Sequence, residues 1–302
     1  MQTLREIIKD AQLHNVAVGH FNISDLAALK GIFDAAYALK QPVIIGVSEG
    51  ERDFIGIKQV VALIKSLREE FSIIDGSASG GNFPIFLNAD HTHSFGKIKE
   101  AVEAGFDAVL FDAGKENIEE NIRETKEVVN FVKEYNQKNN CDVLVEGELG
   151  YIGSGSVILD RIPEGVSVKK EDLTKPEDAK RFIEETGIDL LAPALGTLHG
   201  MFLDASDPNL DVERIKEIKS MIDIPMVLHG ASGVSNEQLK LAVLAGVSIV
   251  HINTELRTAW KRGLDLALLS RPNEIVPYKI LPEVVHEVEK VVSDKIKILS
   301  GV

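Results

Sequence analysis

The stretch Lys180–Pro193, KRFIEETGIDLLAP, runs from an amphipathic segment through Gly187 into a short segment that is apolar on both faces. Glycine at that junction supplies the left-handed cap that turns a helix into a following strand. A strand apolar on both faces belongs in a buried parallel sheet. The same grammar recurs in AGFDAVLF around Gly105 and in AGVSIVHI around Gly246.

Working outward from these three junctions, the chain alternates from end to end. Strands are predicted at Val16–Phe21, Pro42–Val47, Pro84–Ala89, Asp107–Phe111, Asp142–Gly147, Ile188–Pro193, Pro225–Leu228 and Ser248–Ile252. Helical patterns lie between them at Asp25–Leu39, Gly56–Glu70, Phe95–Ala104, Ile118–Gln137, Pro176–Thr186, Val212–Met221 and Asn236–Ala245. An amphipathic tail follows at Leu256–Leu269 and Leu281–Leu299. This alternation predicts an α/β fold: a (β/α)8 TIM barrel with a C-terminal helical extension, with a doubly wound open sheet as the alternative. No linker divides residues 1–302, so one barrel domain is expected. The Gly/Ser-rich connection Asp75–Phe83 and the long loop Tyr151–Thr174 exceed the minimal repeat.

Composition narrows the function. A chain of 302 residues with a formal net charge of −14 and no block of lysines or arginines is a poor partner for nucleic acid. The longest uncharged apolar stretch, Leu190–Leu203, is too short and broken to span a bilayer, so no membrane partner is expected. Cys141 is the lone cysteine, the N-terminus has no signal-peptide pattern, and a reducing cytoplasm is the expected setting.

In such a barrel chemistry collects where strands end. The predicted ends read FN (Asn22), VSEG (Ser48), NADHTH (Asp90, His91, His93), FDAG (Asp112), EGELG (Glu146, Glu148), GTLHG (His199), HGASG (His229) and HINTE (His251, Asn253, Glu255). The opposite ends carry mainly Gly, Pro and Asp. His91, His199 and His229, from three strands and beside glycines or acids, describe a catalytic zinc site with an open fourth position. Asp90 beside a dication stays ionised and can carry a proton, or it can cap a helix. His93 reads as a loop residue, and His14, His20 and His286 read as ordinary. HGASG and the following Asn253–Thr254 sit where barrels bind phosphate, and Arg257 could add a cation. No lysine ends a predicted strand, which argues against Schiff-base chemistry.

With these motifs in place, the sequence resembles the class II, metal-dependent fructose-bisphosphate aldolase family, which includes tagatose-bisphosphate aldolases. The resemblance runs through GHFNISD, LNADHTH, VEGELGYIG, LTKPEDAKRFIEETGIDLLAPALGTLHG, PMVLHGASG and NTELR, in order over most of the chain. It implies Asp90 as proton carrier and Zn2+ on His91, His199 and His229, with Asp112 and Glu148 as a second or alternative metal site. It implies that Gly200, Gly230, Ala231, Ser232, Gly233, Asn253 and Thr254 hold the dihydroxyacetone phosphate half, and that Asn22 and Ser48 lie on the substrate side. A monovalent cation, Na+ or K+, near the phosphate and a homo-oligomer, dimer or tetramer, are further implications.

The implied reaction is reversible cleavage of a ketose 1,6-bisphosphate, fructose before tagatose, to dihydroxyacetone phosphate and glyceraldehyde 3-phosphate. A loop acid is then needed to reprotonate C3, and Asp160 and Glu164 are on offer. One departure stands out: where relatives read K-x-N-x-(D/N/A)-T, this chain reads Ile249-Val250-His251-Ile252-Asn253-Thr254. Either His251 or Asn253 must then do the work of the missing asparagine. A metal-dependent barrel hydrolase, or a sugar-phosphate binding protein without turnover, are the competing readings.

Overall fold

The computed structural model describes residues 2–74, 84–153, 157–159, 169–201 and 210–302. Eight strands, Val18–Asn22 (β1), Val43–Val47 (β2), Ile85–Thr92 (β3), Ala108–Phe111 (β4), Leu144–Leu149 (β5), Leu190–Pro193 (β6), Met226–Leu228 (β7) and Val247–Ile252 (β8), close into one parallel barrel in chain order. The seam is β1 against β8, with His20 opposite His251. This is the (β/α)8 barrel expected. The Asp75–Phe83 connection lies outside the described residues, as do Asp160 and Glu164.

The helices are Leu4–His14 (α1), Leu26–Leu39 (α2), Glu49–Ile55 (α3), Ile57–Ile74 (α4), Phe95–Ala104 (α5), Ile118–Asn139 (α6), Pro176–Thr186 (α7), Val212–Lys219 (α8), Asn236–Leu244 (α9), Thr254–Ser270 (α10) and Pro277–Ser300 (α11). Gly105 and Gly187 cap α5 and α7 with φ of 101° and 72°, as the junction pattern requires. Two helices add to the predicted set. In α1 a capping box starts the helix: Glu6 N–H donates to Thr3 Oγ1 and Thr3 N–H to Glu6 Oε2. Its buried Leu4, Ile7, Ile8 and Ala11 recur at helical spacing and plug the floor of the barrel. The other, α3, follows β2 directly and occupies part of the mouth.

Alternation along the strands sorts the core into two layers. Ile85, Leu87 and Ala89 of β3 face outward into the larger apolar cluster beneath the helices. Phe86, by contrast, joins Val18, Ile44, Ala108, Leu144, Leu190, Val227 and Ile249 in the floor. Climbing three of the strands by two residues changes the chemistry. Val18 leads to His20 and Asn22, Phe86 to Asn88 and Asp90, and Leu144 to Glu146 and Glu148. An apolar floor thus supports a polar mouth, and burial of the floor stabilises the frame that holds the mouth in place.

Candidate active site

His91 and Asp90 are neighbours on β3, and a regular strand would send them to opposite faces. The pairing of β3 with β4 shifts register between Ala89 and Thr92, and His91 adopts φ of 32°, in the left-handed region. This bulge turns both side chains to the mouth. Arg52 of α3 braces it: Nη1 donates to Val47 O at 2.5 Å and to Asp90 O at 3.2 Å, and Nη2 to Thr92 Oγ1 at 2.8 Å. Arg52 is buried, and burial holds its pKa below the ordinary arginine value.

The three histidines converge. Ring centroids lie 4.5 Å apart for His91–His199, 5.0 Å for His91–His229 and 5.6 Å for His199–His229. Each ring has one nitrogen committed elsewhere. His91 Nδ1 lies 2.8 Å from Asp112 Oδ2, His199 Nδ1 2.9 Å from Gly153 O, and His229 Nε2 2.7 Å from Glu146 Oε1. Those acceptors set which nitrogen is turned away from them: Nε2 of His91, Nε2 of His199 and Nδ1 of His229. Buried His229 Nδ1 has no hydrogen-bond partner. Rings oriented by carboxylates or carbonyls are the arrangement that metal-ligating histidines need. Ligand atoms of the three lie within 4.8 Å of one another, so the residues fit a divalent metal.

The local field favours a cation as well. Burial alone would depress His91, but Asp90, Asp112 and Glu148 outweigh it and lift its pKa to about 10. His199, buried and facing the other two imidazoles, drops to about 3 and stays neutral. Burial pushes Glu148 well above the usual carboxylate range, with Asp112 adding to it. His91, Asp112 and Glu148 form a second group of metal-ligating geometry.

Asp90 is held from several sides. Asn22 Nδ2 donates to Asp90 Oδ2 at 2.8 Å and to Glu51 Oε2 at 3.0 Å. His251 Nδ1 stands 3.4 Å from Asp90 Oδ1. Burial works against ionisation, yet His91, His251 and His20 outweigh it, and the Asp90 carboxyl stays well below the usual range.

The cavity above these groups is lined by Asn22, Ser48, Asp90, His91, His93, Asp112, His199, Gly200, His229, Gly230, Ser232, His251, Asn253 and Thr254 among others. Arg257 also lines it and pairs with Glu51 at 2.7 Å. Of the residues implied for the phosphate half, Ala231 and Gly233 do not line it. Gly233 N–H instead donates to Glu255 Oε1 at 3.0 Å. Glu148 lies just behind the wall, buried.

Two residues read as ordinary or passed over belong to this assembly, together with Glu146. Glu146 orients His229, Arg52 braces the bulge, and His20, expected to be ordinary, lies buried against His251. Glu146, the first residue of EGELG, was already among the strand-end groups. Arg52 and His20 carried no such signal, because neither ends a strand.

The chain was compared with known proteins. The family model described as "Fructose-bisphosphate aldolase class-II" matches residues 2–301. A fructose-bisphosphate aldolase of Geobacillus stearothermophilus is 35% identical over 280 residues, 92% of this chain and 90% of that protein. A 6-phospho-5-dehydro-2-deoxy-D-gluconate aldolase of Bacillus licheniformis is 34% identical over 296 residues, 98% of this chain and 93% of that protein. The crystal structure of the YdjI aldolase from Escherichia coli K12 superposes with a TM-score of 0.77 at 28% identity, covering 99% of this chain and 97% of that one.

Proposed function

The chain belongs to the class II fructose-bisphosphate aldolase family, and from that premise we propose that it cleaves a ketose 1,6-bisphosphate reversibly in a zinc-dependent reaction. The products are dihydroxyacetone phosphate and glyceraldehyde 3-phosphate, with fructose the first substrate and tagatose the alternative. As a carbon–carbon lyase acting on sugar phosphates, it leaves the hydrolase and binding-protein readings without support. The observation that carries the proposal is the convergence of three imidazoles beside Asp90, each with one nitrogen tied back: His91 from β3, His229 just after β7, and His199 not at a strand end as expected but six residues past β6 in the loop that follows.

Zinc, held by His91, His199 and His229, would supply Lewis-acid polarisation of the substrate carbonyl. Everything else falls to the chain's own groups. Asp90, ionised and braced by Asn22, accepts the proton of the C4 hydroxyl. The C3–C4 bond then breaks, C4 leaves as an aldehyde and the bonding pair stays with C3, which an acid must protonate to give dihydroxyacetone phosphate. A ring N–H of His251 donates toward the oxygen on which that charge develops, with Asn253 beside it in the cavity wall. Ser232, Gly200, Gly230 and Thr254 hold the phosphate of the dihydroxyacetone half, with a monovalent cation near it. Arg257, at the same cavity, adds a cation.

We assign the work to the cytoplasm, in keeping with the lone Cys141, and to a homo-oligomer. No helix among the described residues is long and apolar enough to cross a membrane.

Cleavage assays with fructose and tagatose 1,6-bisphosphates, and with 6-phospho-5-dehydro-2-deoxy-D-gluconate, test the proposal. A bisphosphate is expected to turn over fastest. Turnover of the deoxygluconate phosphate alone would keep the chemistry and replace the substrate. Turnover of none would overturn the reading.

A further inference from the structure

His20 occupies the second inward position of β1 and is fully buried. Its ring lies flat on that of His251, with centroids 3.5 Å apart and an interplanar angle of 0°. His229 closes on His251 at 4.0 Å and 34°. The His251 ring is therefore clamped between two imidazoles. Its Nδ1 stands 3.4 Å from Asp90 Oδ1 and its Nε2 3.9 Å from Glu146 Oε2.

Two further residues hold His20 itself. Asn88 Nδ2 lies 3.1 Å from His20 Nε2 and donates to it, which leaves the ring proton on Nδ1. On β2, Gly46 leaves the space the ring fills: a Cβ there would sit 2.1 Å from His20 Cε1 and 2.7 Å from Nε2. His20 does not line the cavity, so it cannot touch substrate.

We propose that His20 is a positioning residue that fixes the ring plane of His251, with Asn88 and Gly46 as its seat. The inference rests on the reading of His251 given above. His20, Asp90 and His251 also lie within ligand distance of one another. A shared metal ion is disfavoured, however: imidazole lone pairs lie in the ring plane, and two parallel planes never meet at one point.

Kinetics and spectroscopy test this on the metal-loaded protein. His20→Ala should lower kcat for cleavage about tenfold or more while KM stays within about twofold, as expected for a misplaced catalytic group. Metal content should not change. His20→Gln, which keeps a planar side chain and an acceptor for Asn88, should restore most of the rate. Gly46→Ala should reproduce the loss with His20 intact. In the His20→Ala/His251→Ala double variant the rate should match His251→Ala alone, because a residue acting only through another adds nothing once that other is gone.

Losses that multiply in the double variant, a change confined to KM, or release of a metal ion from His20→Ala would each overturn the proposal. The ring-proton resonances of His251 give a readout independent of turnover. They should be displaced upfield by the stacked ring and move back in His20→Ala, and unchanged resonances would refute the clamp. A silent His251→Ala, or a wild-type chain that cleaves no phosphorylated ketose, would instead refute the reading of the site.

Discussion

Asp90 carries the most exposed claim at the scale of single residues. Asp90→Asn keeps the shape and the Asn22 contact side but removes the proton acceptor, so cleavage should fall by roughly 10²-fold or more. Binding of dihydroxyacetone phosphate, which lacks the C4 hydroxyl, should weaken far less. Equal losses in both would mean that Asp90 positions the metal. His91 yields a second expectation. With its pKa raised to about 10 in the metal-free site, it holds a proton at neutral pH that a metal must displace. Metal affinity should therefore weaken as pH falls, with about one proton released per ion, measurable by calorimetry in buffers of different ionisation heat. Strand-end reasoning singled out Asp90 and the three histidines, which the structure brings together, because a polar group following an apolar run is conspicuous. It passed over His20 because the cue there is parity, two residues below Asn22 and facing inward. A histidine among Val18, Gly19 and Phe21 reads the same whether it packs or positions.

Among the elements, α1 and α3 were the ones the pattern did not announce, for different reasons. The first was legible in Leu4, Ile7, Ile8 and Ala11, but no strand precedes it to set the rhythm. Its apolar face closes the floor, at the end opposite the cavity. Ile8, almost fully buried, should cost about 2–5 kcal/mol of stability when cut to alanine, with kcat unchanged. Denaturant titration beside a cleavage assay checks both halves. The short α3 begins straight after Val47, and its seven residues are too few for a periodic signal. Through Arg52 it ties the ends of β2 and β3 to the bulge that aims His91. Arg52→Met should lower metal affinity by about tenfold or more, the usual effect of losing a group that orients a ligand. Unaltered affinity would show that the bulge holds its shape alone.

At the scale of the whole molecule, the proposed function requires a chain of net charge −14 to draw a sugar bisphosphate, with about two negative charges on each ester, to the polar mouth of its barrel. The barrel makes this possible by stacking an apolar floor under a ring of imidazoles, with Arg257 at the rim. The (β/α)8 alternation was legible because eight buried strands leave a repeated local mark, with glycine caps at α5 and α7, although α9 ends on Ala245 and not on the expected glycine. The contacts that orient those converging rings across the barrel were not legible, because they join residues distant in the chain, such as Glu146 and His229, 83 residues apart. The central claim, metal-dependent aldol cleavage at that convergence, is tested most directly by one titration. Triose phosphate release from fructose 1,6-bisphosphate is followed as metal is stripped by a chelator and zinc is returned, with bound metal counted at each step. The account predicts activity that falls to background with the metal and recovers in proportion to zinc, saturating at about one ion per chain. Full cleavage by protein holding no metal, with a covalent adduct trapped by borohydride, would contradict it.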